Sequence, residues 1–306
     1  MLDGATSKPL ERAAWQTTAD GRKPEHITGT SMREILRLEH HGADIFVGTG
    51  PQYPWGGLFG GQILAQALRA ASDTVDESVP PHSLRAYFIR PGDHTEPVRY
   101  EVDRLRNGRS FTTRRVVARQ AVGAILNLEA SFTRGEEGID HARVPMSTTW
   151  RPDASVAVSW IDRRVEAPQL GSGEVNVWLR FTEAVGHDPC AVAFLSDDVP
   201  SDSIRCLLTP PGGDITAFDR HWFAVSLDHT LWFHAPFESD RWHLHSFRCE
   251  RYVGGRALTA GRIYSEDGRH VTSVAQEMLV RPQRNVSTTS DRSVDRETTG
   301  ADQNEQ

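Results

Sequence analysis

The stretch GGLFGGQILAQALRAA, residues 56–71, decides the fold. Two glycine pairs lead into a run in which apolar side chains recur every three or four residues. The apolar positions of this run are Ile63, Leu64, Ala67, Leu68 and Ala71. Their spacing predicts an amphipathic helix that begins just after the glycines. Because several of these positions are alanines, we expect other structure to wrap closely around the helix.

The residues after this helix alternate apolar and polar side chains, as strands with one buried face do. The alternating runs cover residues 83–88, 98–102, 111–119 and 126–132. Asn107-Gly108 lies between the second and third runs and is a strong hairpin signal. A helix followed by antiparallel strands predicts an α+β layout.

The second half of the chain has the same kind of pattern. A candidate helix covers residues 189–198, and Asp267-Gly268 is a second hairpin signal. Strands are predicted over residues 178–181, 222–234, 243–251, 257–264 and 271–280.

The two halves also resemble each other in sequence. YFIRP at residues 87–91 is similar to WFHAP at residues 232–236, an offset of 145 positions. About the same offset aligns residues 125–132 with residues 271–278. Two copies of one supersecondary unit account for this similarity, and two unrelated α+β domains with a chance likeness are the alternative.

Composition divides the chain into five segments. Residues 1–28 and 283–306 are polar, and we expect both to be disordered. The ordered parts are an N-terminal domain at 29–134 and a C-terminal domain at 174–282. Residues 135–173, rich in Pro, Ser, Asp and Arg, are expected to link them, with some order around residues 156–160.

Composition also bounds the function. The net charge of −7 offers no general attraction to nucleic acid or to an anionic membrane. The three cysteines, Cys190, Cys206 and Cys249, are too widely spaced for a disulfide scaffold or a structural zinc site. No signal peptide or membrane-spanning run is visible, so we expect a cytoplasmic protein.

Longer motifs in both halves resemble one known family. The first half contains LFGGQ at residues 58–62, QAL at 66–68 and HSLRAYFIRPGD at 82–93. The second half contains LDHTLWFHAPF at 227–237 and AQE at 275–277. These motifs, spread over residues 35–282, are similar to those of the acyl-CoA thioesterase II (TesB-like) family.

The resemblance implies a fold and a reaction. The family's fold is a double hot-dog, in which an antiparallel sheet wraps a central helix in each half. Its members hydrolyse fatty acyl-CoA to free acid and CoA with a water molecule, without a covalent intermediate, a metal or a cofactor. The family's catalytic set, an Asp on the second helix, a Ser or Thr and a Gln on the last strand, falls on Asp197, Ser226 and Gln276. Asp198 is the alternative for the acid.

The residue types suit such a reaction. A carboxylate accepts a proton from water as a general base, and a hydroxyl and an amide can orient that water. The backbone N–H groups of Gly60 and Gly61, at the start of the first helix, are candidates for polarising the thioester carbonyl.

Two other functions stay open. A non-catalytic or weakly catalytic acyl-CoA-binding hot-dog protein would be free to lose Asp197, Ser226 and Gln276, so their presence favours the enzyme. A hydratase of the same fold would carry an Asp with a His five residues later. Asp240 and His245 have that spacing but lack the glycine turn of a hydratase.

Neighbouring acids and histidines in the second half are expected to be structural. Asp228 and His229 are adjacent in a predicted strand and point to opposite faces, so they are not a dyad. We expect Asp228 to form hydrogen bonds in the interface of the two halves. His243 and His245 lack a third ligand and are expected to be surface residues without a metal. An edge strand in each sheet predicts a homo-oligomer.

Overall fold

The computed structural model describes residues 31–53, 56–148 and 161–283. The disorder predicted for residues 1–28 and for the tail beyond residue 283 lies outside the described residues. So does the order expected around residues 156–160.

The first half contains two helices and six strands among the described residues. In chain order they are α1 (Met32–Ile35), β1 (Glu39–His40), β2 (Ile45–Gly48), α2 (Gly60–Ser72), β3 (Pro81–Phe88), β4 (Val98–Asn107), β5 (Thr112–Gln120) and β6 (Gly123–Phe132). The predicted helix and the four alternating runs are therefore confirmed as α2 and β3 to β6.

The second half contains three α-helices, a 3-10 turn and seven strands among the described residues. In chain order they are β7 (Ile161–Val165), β8 (Glu174–Phe181), α3 (Pro189–Ser196), α4 (Pro200–Leu208), the 3-10 turn (Ile215–Ala217), α5 (Phe218–His221), β9 (Trp222–Ser226), β10 (Asp228–Phe233), β11 (His243–Val253), β12 (Arg256–Ser265) and β13 (His270–Pro282).

Two of the second-half predictions differ from the structure. The single strand predicted over residues 222–234 is wrong, because the chain breaks at Leu227 into β9 and β10, which both pair with β13. The helix predicted over residues 189–198 ends at Ser196, and Asp197 is its C-terminal cap.

The strands form one antiparallel sheet in the order β1-β2-β4-β5-β6-β3-β10-β13-β12-β11-β8-β7, with β9 as a further partner of β13. The sheets of the two halves meet edge to edge where β3 pairs with β10, and Leu84 lies opposite Leu231. Helices α2 and α3 pack against each other. This is the α+β double hot-dog that the sequence resemblance implies.

Helix α2 is enclosed on nearly all sides. Leu64 and Leu68 are fully buried, and burying one such side chain stabilises a fold by about 1.5–3 kcal/mol. Ala67 and Ala71 are buried as completely, so strands and α3 approach the helix closely, as its alanine content predicts.

A buried glutamine ties the chain before α2 to the helix. The Nε2 of Gln66 donates to the carbonyl oxygens of Ile35 at 2.7 Å and Thr49 at 2.8 Å. Its Oε1 accepts a hydrogen bond from the hydroxyl of Tyr100 at 2.6 Å. The amide is thereby satisfied inside the core, and it holds the loop that approaches the N-terminus of α2.

The segment predicted as the connection between the halves carries a strand. Strand β7 lies within residues 135–173 and pairs with β8. Earlier in the same segment, the carbonyl of Val144 accepts a hydrogen bond from the Tyr264 hydroxyl at 3.2 Å. The connection therefore runs along the sheet of the second half. None of the helices in the described ranges has the length and apolar character needed to cross a membrane.

Candidate active site

Asp197 lies at the C-terminal end of α3, where the two halves meet. The helix begins at Pro189, directly after Asp188, whose side chain accepts from the N–H of Cys190, and residues 190–196 are buried. Pro200 starts the next helix only three residues after Asp197. The Asp197 side chain is 5% exposed, so its carboxylate is held inside the protein.

The neighbouring Asp198 serves a different purpose. Its Oδ2 accepts a hydrogen bond from the Nε of Arg163 at 3.1 Å, and Arg163 also pairs with Asp202. Arg163 is buried, so both carboxylates compensate a desolvated charge. The contacts therefore assign Asp198 to an ion-pair network and leave Asp197 as the carboxylate that faces the other site residues.

Gln276 on β13 connects the other two residues of the predicted set. Its Nε2 donates to Oδ1 of Asp197 at 3.0 Å and to Oγ of Ser226 at 2.5 Å. The amide nitrogen must face the carboxylate, because an ionised carboxylate only accepts hydrogen bonds. The structure thus brings Asp197, Ser226 and Gln276 together around one amide group.

A bulge at Leu227 turns Ser226 toward this amide. Ser226 pairs with Met278 and Thr230 pairs with Ala275, so the five residues 226–230 oppose the four residues 275–278 of β13. The extra residue is a β-bulge, a feature often found next to active sites. Since facing alternates along a regular strand, Ser226 and His229 would point to opposite faces without it. The bulge puts both on the face that carries Gln276.

His229 is a functional candidate that the sequence analysis missed. It is fully buried, with Nδ1 3.1 Å from Oε1 of Gln276 and Nε2 2.9 Å from Oγ of Ser196. Nδ1 also lies 3.8 Å from Oδ1 of Asp197. Burial lowers the pKa of His229 to about 4, against a smaller upward effect of its hydrogen bond with Gln276, so the ring is neutral near pH 7. The available signal was its position two residues before the apolar Leu231, which puts both side chains on the same, inward face of the strand.

The N-terminus of α2 closes the site from the first half. A Cβ atom added to Gly60 would lie 2.5 Å from Oδ2 of Asp197, and one added to Gly61 would lie 2.4 Å from the carbonyl oxygen of Phe194. These glycines therefore permit a contact between α2 and the end of α3 that larger residues would block. The first N–H groups of a helix lack intrahelical acceptors and carry partial positive charge. A carboxylate is favourable at that position.

Asp228 has the structural role expected for it. Its Oδ1 accepts a hydrogen bond from the backbone N–H of Glu277 at 2.8 Å, and its Oδ2 lies 3.5 Å from a guanidinium nitrogen of Arg85. Because Arg85 belongs to β3 and Glu277 to β13, Asp228 links strands of both halves across β10. The expectation that it bonds within their interface is confirmed.

The prediction that His243 and His245 are surface residues is wrong. Both are buried, because they share the inward face of β11 with Phe247. Burial lowers the pKa of His243 to about 4 and that of His245 well below its ordinary value. The rings lie 5.1 Å apart, and the charges of Asp198 and Arg163 act on His245. Over the described ranges, no group of three or more His, Cys, Asp or Glu side chains is arranged to hold a metal ion.

The arrangement at Asp197 suits proton abstraction from water. One carboxylate oxygen is held by the Gln276 amide, and the other lies beside Gly60 at the start of α2. A nucleophile and a polarised carbonyl could meet in this corner, which is built from both halves.

Comparison with known proteins relates both halves of the chain to acyl-CoA thioesterases. Residues 50–135 match the family model described as the acyl-CoA thioesterase N-terminal domain, and residues 136–280 match that of the acyl-CoA thioesterase C-terminal domain. Acyl-CoA thioesterase 2 of Haemophilus influenzae is 29% identical over 284 residues, which cover 82% of this chain and 97% of that protein. Human acyl-coenzyme A thioesterase 8 is 30% identical over 311 residues, which cover 87% of this chain and 94% of the human protein.

A solved structure is similar over nearly its whole length. The acyl-CoA thioesterase II TesB2 from Mycobacterium marinum superposes with a TM-score of 0.71 at 34% sequence identity. The match covers 83% of this chain and 98% of the mycobacterial chain. The similarity therefore includes both halves and their pairing.

Proposed function

The chain belongs to the acyl-CoA thioesterase II (TesB-like) family, and we propose that it hydrolyses fatty acyl-CoA to free fatty acid and CoA by direct attack of a water molecule held by Asp197, Ser226 and Gln276. As a member of this family it is an acyl-CoA thioesterase. The observation that carries the proposed mechanism is the Gln276 amide, which bridges the Asp197 carboxylate and the Ser226 hydroxyl beside the start of α2.

Asp197 is the general base in this reaction. Its Oδ1 accepts from Gln276, while Oδ2 faces Gly60, so Oδ2 is the oxygen we assign to the water. The water oxygen bonds to the thioester carbonyl carbon as its proton passes to Asp197. The carbon–sulfur bond then breaks, and the proton returns from Asp197 to the leaving thiolate. The products are the free acid and CoA.

Gln276 and Ser226 position the base and the water. Both hydrogens of the Gln276 amide are engaged, one by Asp197 and one by Ser226. Gln276 therefore holds the carboxylate and the hydroxyl at a set separation. Ser226 accepts from the amide, which leaves its own hydroxyl hydrogen to orient the water.

The start of α2 supplies the electrostatic stabilisation. The N–H groups of Gly60 and Gly61 belong to the first helical turn, where they have no intrahelical acceptor. Aimed at the carbonyl oxygen, they would stabilise the negative charge that develops in the tetrahedral intermediate.

The test is CoA release, measured with a thiol reagent, from saturated acyl-CoAs of increasing chain length. We expect wild type to release CoA and Asp197→Asn to lose on the order of a hundredfold in kcat while remaining folded. The matched control is Asp198→Asn, which should keep its kcat per folded molecule. Full activity of Asp197→Asn would overturn the assignment of the base.

The same assay separates hydrolysis from binding. A protein that binds acyl-CoA but releases no CoA from any chain length would be an acyl-CoA-binding hot-dog protein without catalysis. The polar cluster at Gln276 favours hydrolysis, because burying an amide, a carboxylate and a hydroxyl together serves no purpose in holding an apolar chain.

The proposal also includes a cellular compartment and an oligomeric state. Free cysteines at residues 190, 206 and 249 favour a reducing compartment such as the cytoplasm, which cell fractionation would test. The edge strands β1 and β7 offer backbone groups for pairing with a second copy, so we propose a homo-oligomer. A monomeric mass by light scattering would contradict it.

A further inference from the structure

A series of hydrogen bonds connects Ser196, the last residue of α3, to Asp197 by way of side chains on β10 and β13. Ser196 contacts the Nε2 of His229, the Nδ1 of His229 contacts Oε1 of Gln276, and Nε2 of Gln276 contacts Asp197. Ser196 and Asp197 are neighbours in sequence. Every side chain of this series is buried or nearly so.

The Asp197 carboxylate determines which group donates in each of these hydrogen bonds. Asp197 can only accept, so the amide nitrogen of Gln276 faces it and the amide oxygen faces His229. An amide oxygen also only accepts, so the hydrogen of the neutral imidazole must be on Nδ1. Nε2 is then an acceptor, and it lies 2.9 Å from Oγ of Ser196, whose hydroxyl is also 2.8 Å from the Ala193 carbonyl oxygen.

We propose that His229 is a positioning residue for the thioesterase reaction, whose Nδ1–H holds the Gln276 amide in the one orientation that directs its nitrogen toward Asp197 and Ser226. The inference rests on the proposed function, since it assigns a role to His229 through Gln276. A rotated amide would aim its oxygen at the carboxylate, and two acceptors facing each other are unfavourable. His229 prevents this rotation because its Nδ1–H accommodates only the oxygen.

Burial of His229 keeps its ring in the neutral form. The ring is fully buried and its pKa is lowered, so only one of its two nitrogens carries a hydrogen. The Gln276 amide oxygen, which only accepts, selects Nδ1 as the nitrogen that carries that hydrogen.

Two substitutions at one position separate this role from packing. In His229→Asn, the side-chain amide nitrogen replaces Nδ1 and can still donate to Gln276. In His229→Gln, the longer side chain reaches toward Ser196 instead and leaves the Gln276 oxygen without that donor. We expect His229→Asn to keep kcat within about fivefold of wild type and His229→Gln to lose between about tenfold and a hundredfold in kcat with little change in KM, as for the loss of other supporting hydrogen-bond partners. Equal losses in both variants would overturn the inference.

A tautomer measurement gives a second and independent readout. Nitrogen NMR of the folded enzyme with 15N-labelled histidine should show Nδ1 of His229 protonated and Nε2 bare near pH 7, with the signal assigned by its loss in His229→Asn. A hydrogen on Nε2 would overturn the inference whatever the activities are.

Gln276→Ala separates a failure of the proposed mechanism from a failure of the proposed role of His229. If it retains full activity, the part assigned to Gln276 in the mechanism and the role of His229 both fail, while hydrolysis itself stands. If it is inactive while His229→Asn and His229→Gln behave alike, only the role of His229 fails. An inactive Gln276→Ala together with an active His229→Asn and an impaired His229→Gln supports both.

Discussion

Gly60, the first residue of α2, lies directly against Asp197, the cap of α3, so that a methyl group at Gly60 would stand 2.5 Å from Oδ2 of the carboxylate. The two residues belong to different halves of the chain. The site therefore depends on the packing of one half against the other.

Gly60→Ala should remove activity while leaving the fold intact. Alanine suits the first turn of a helix, but its methyl group would displace the Asp197 carboxylate from its position. We expect kcat to fall by about a hundredfold, with a melting temperature close to that of wild type. Gly138→Ala, at an exposed position with open space around it, is the control. Wild-type kcat in Gly60→Ala would contradict the contact.

Gly61→Ala should act on stability instead. Its Cβ would lie 2.4 Å from the backbone oxygen of Phe194, which cannot turn away as a side chain can. The two central helices would have to separate, at a cost of about 1–3 kcal/mol for such overpacking. Chemical denaturation measures the loss, and an unchanged midpoint would show that the helices are not so closely packed.

Ser226 should tolerate only a residue that keeps its hydroxyl. Ser226→Ala leaves one hydrogen of the Gln276 amide without its acceptor, and we expect kcat to fall by at least about tenfold. Ser226→Thr retains the oxygen and should keep most of the activity. Equal activity of the two variants, compared at saturating substrate, would be evidence against the bridge.

Arg163→Met tests the ion-pair network of Asp198. Removing the guanidinium leaves Asp198 and Asp202 close together and poorly hydrated, which should destabilise the fold by about 3 kcal/mol. Arg248→Met, which removes an exposed pair with Glu250, should change stability little. The kcat per folded molecule should be nearly unchanged by Arg163→Met. A large loss of kcat in a fully folded variant would instead tie this network to the chemistry.

Acid should destabilise the protein through its buried histidines. The pKa of His243 is about 4 in the folded state, whereas an unfolded histidine titrates near 6.5, so the unfolded chain binds more protons between these values. The free energy of unfolding therefore falls as pH drops from about 6.5 to about 4, by about 3 kcal/mol for this residue, and then levels off.

Denaturation of His243→Gln at several pH values measures this contribution. The slope of unfolding free energy against pH should be shallower than that of wild type by up to about 1.4 kcal/mol per pH unit in that range. His41→Gln, at an exposed position, is the matched control. An identical slope in His243→Gln and wild type would contradict a neutral His243 in the fold.

Local pattern was sufficient for most of the secondary structure. The apolar spacing around Leu64 and Leu68 predicts α2, and the alternation around Leu84 predicts β3, because both periods follow from backbone geometry alone. The Asn107-Gly108 and Asp267-Gly268 hairpins follow from turn chemistry. The short elements, such as β1 and α5, carry too few residues to show a period.

The sequence predicts only part of the candidate site. The resemblance pointed to Asp197, Ser226 and Gln276, and the fold places the first two within hydrogen-bonding distance of the Gln276 amide. It could not choose between Asp197 and Asp198 by pattern. The two aspartates differ in their partners, and Arg163, which pairs with Asp198, lies more than thirty positions earlier in the chain.

The sequence by itself determined the family, through its motifs, and it determined the central helices and the inward faces of strands such as β3 through their apolar period. Tertiary structure alone decided the orientation of Ser226 and the surroundings of His229. An extra residue at Leu227 reverses the facing of the strand without leaving a mark in its apolar pattern. The direction of the His229 and Gln276 hydrogen bonds, in turn, depends on which groups burial leaves opposite each other, and that is a property of the packed fold.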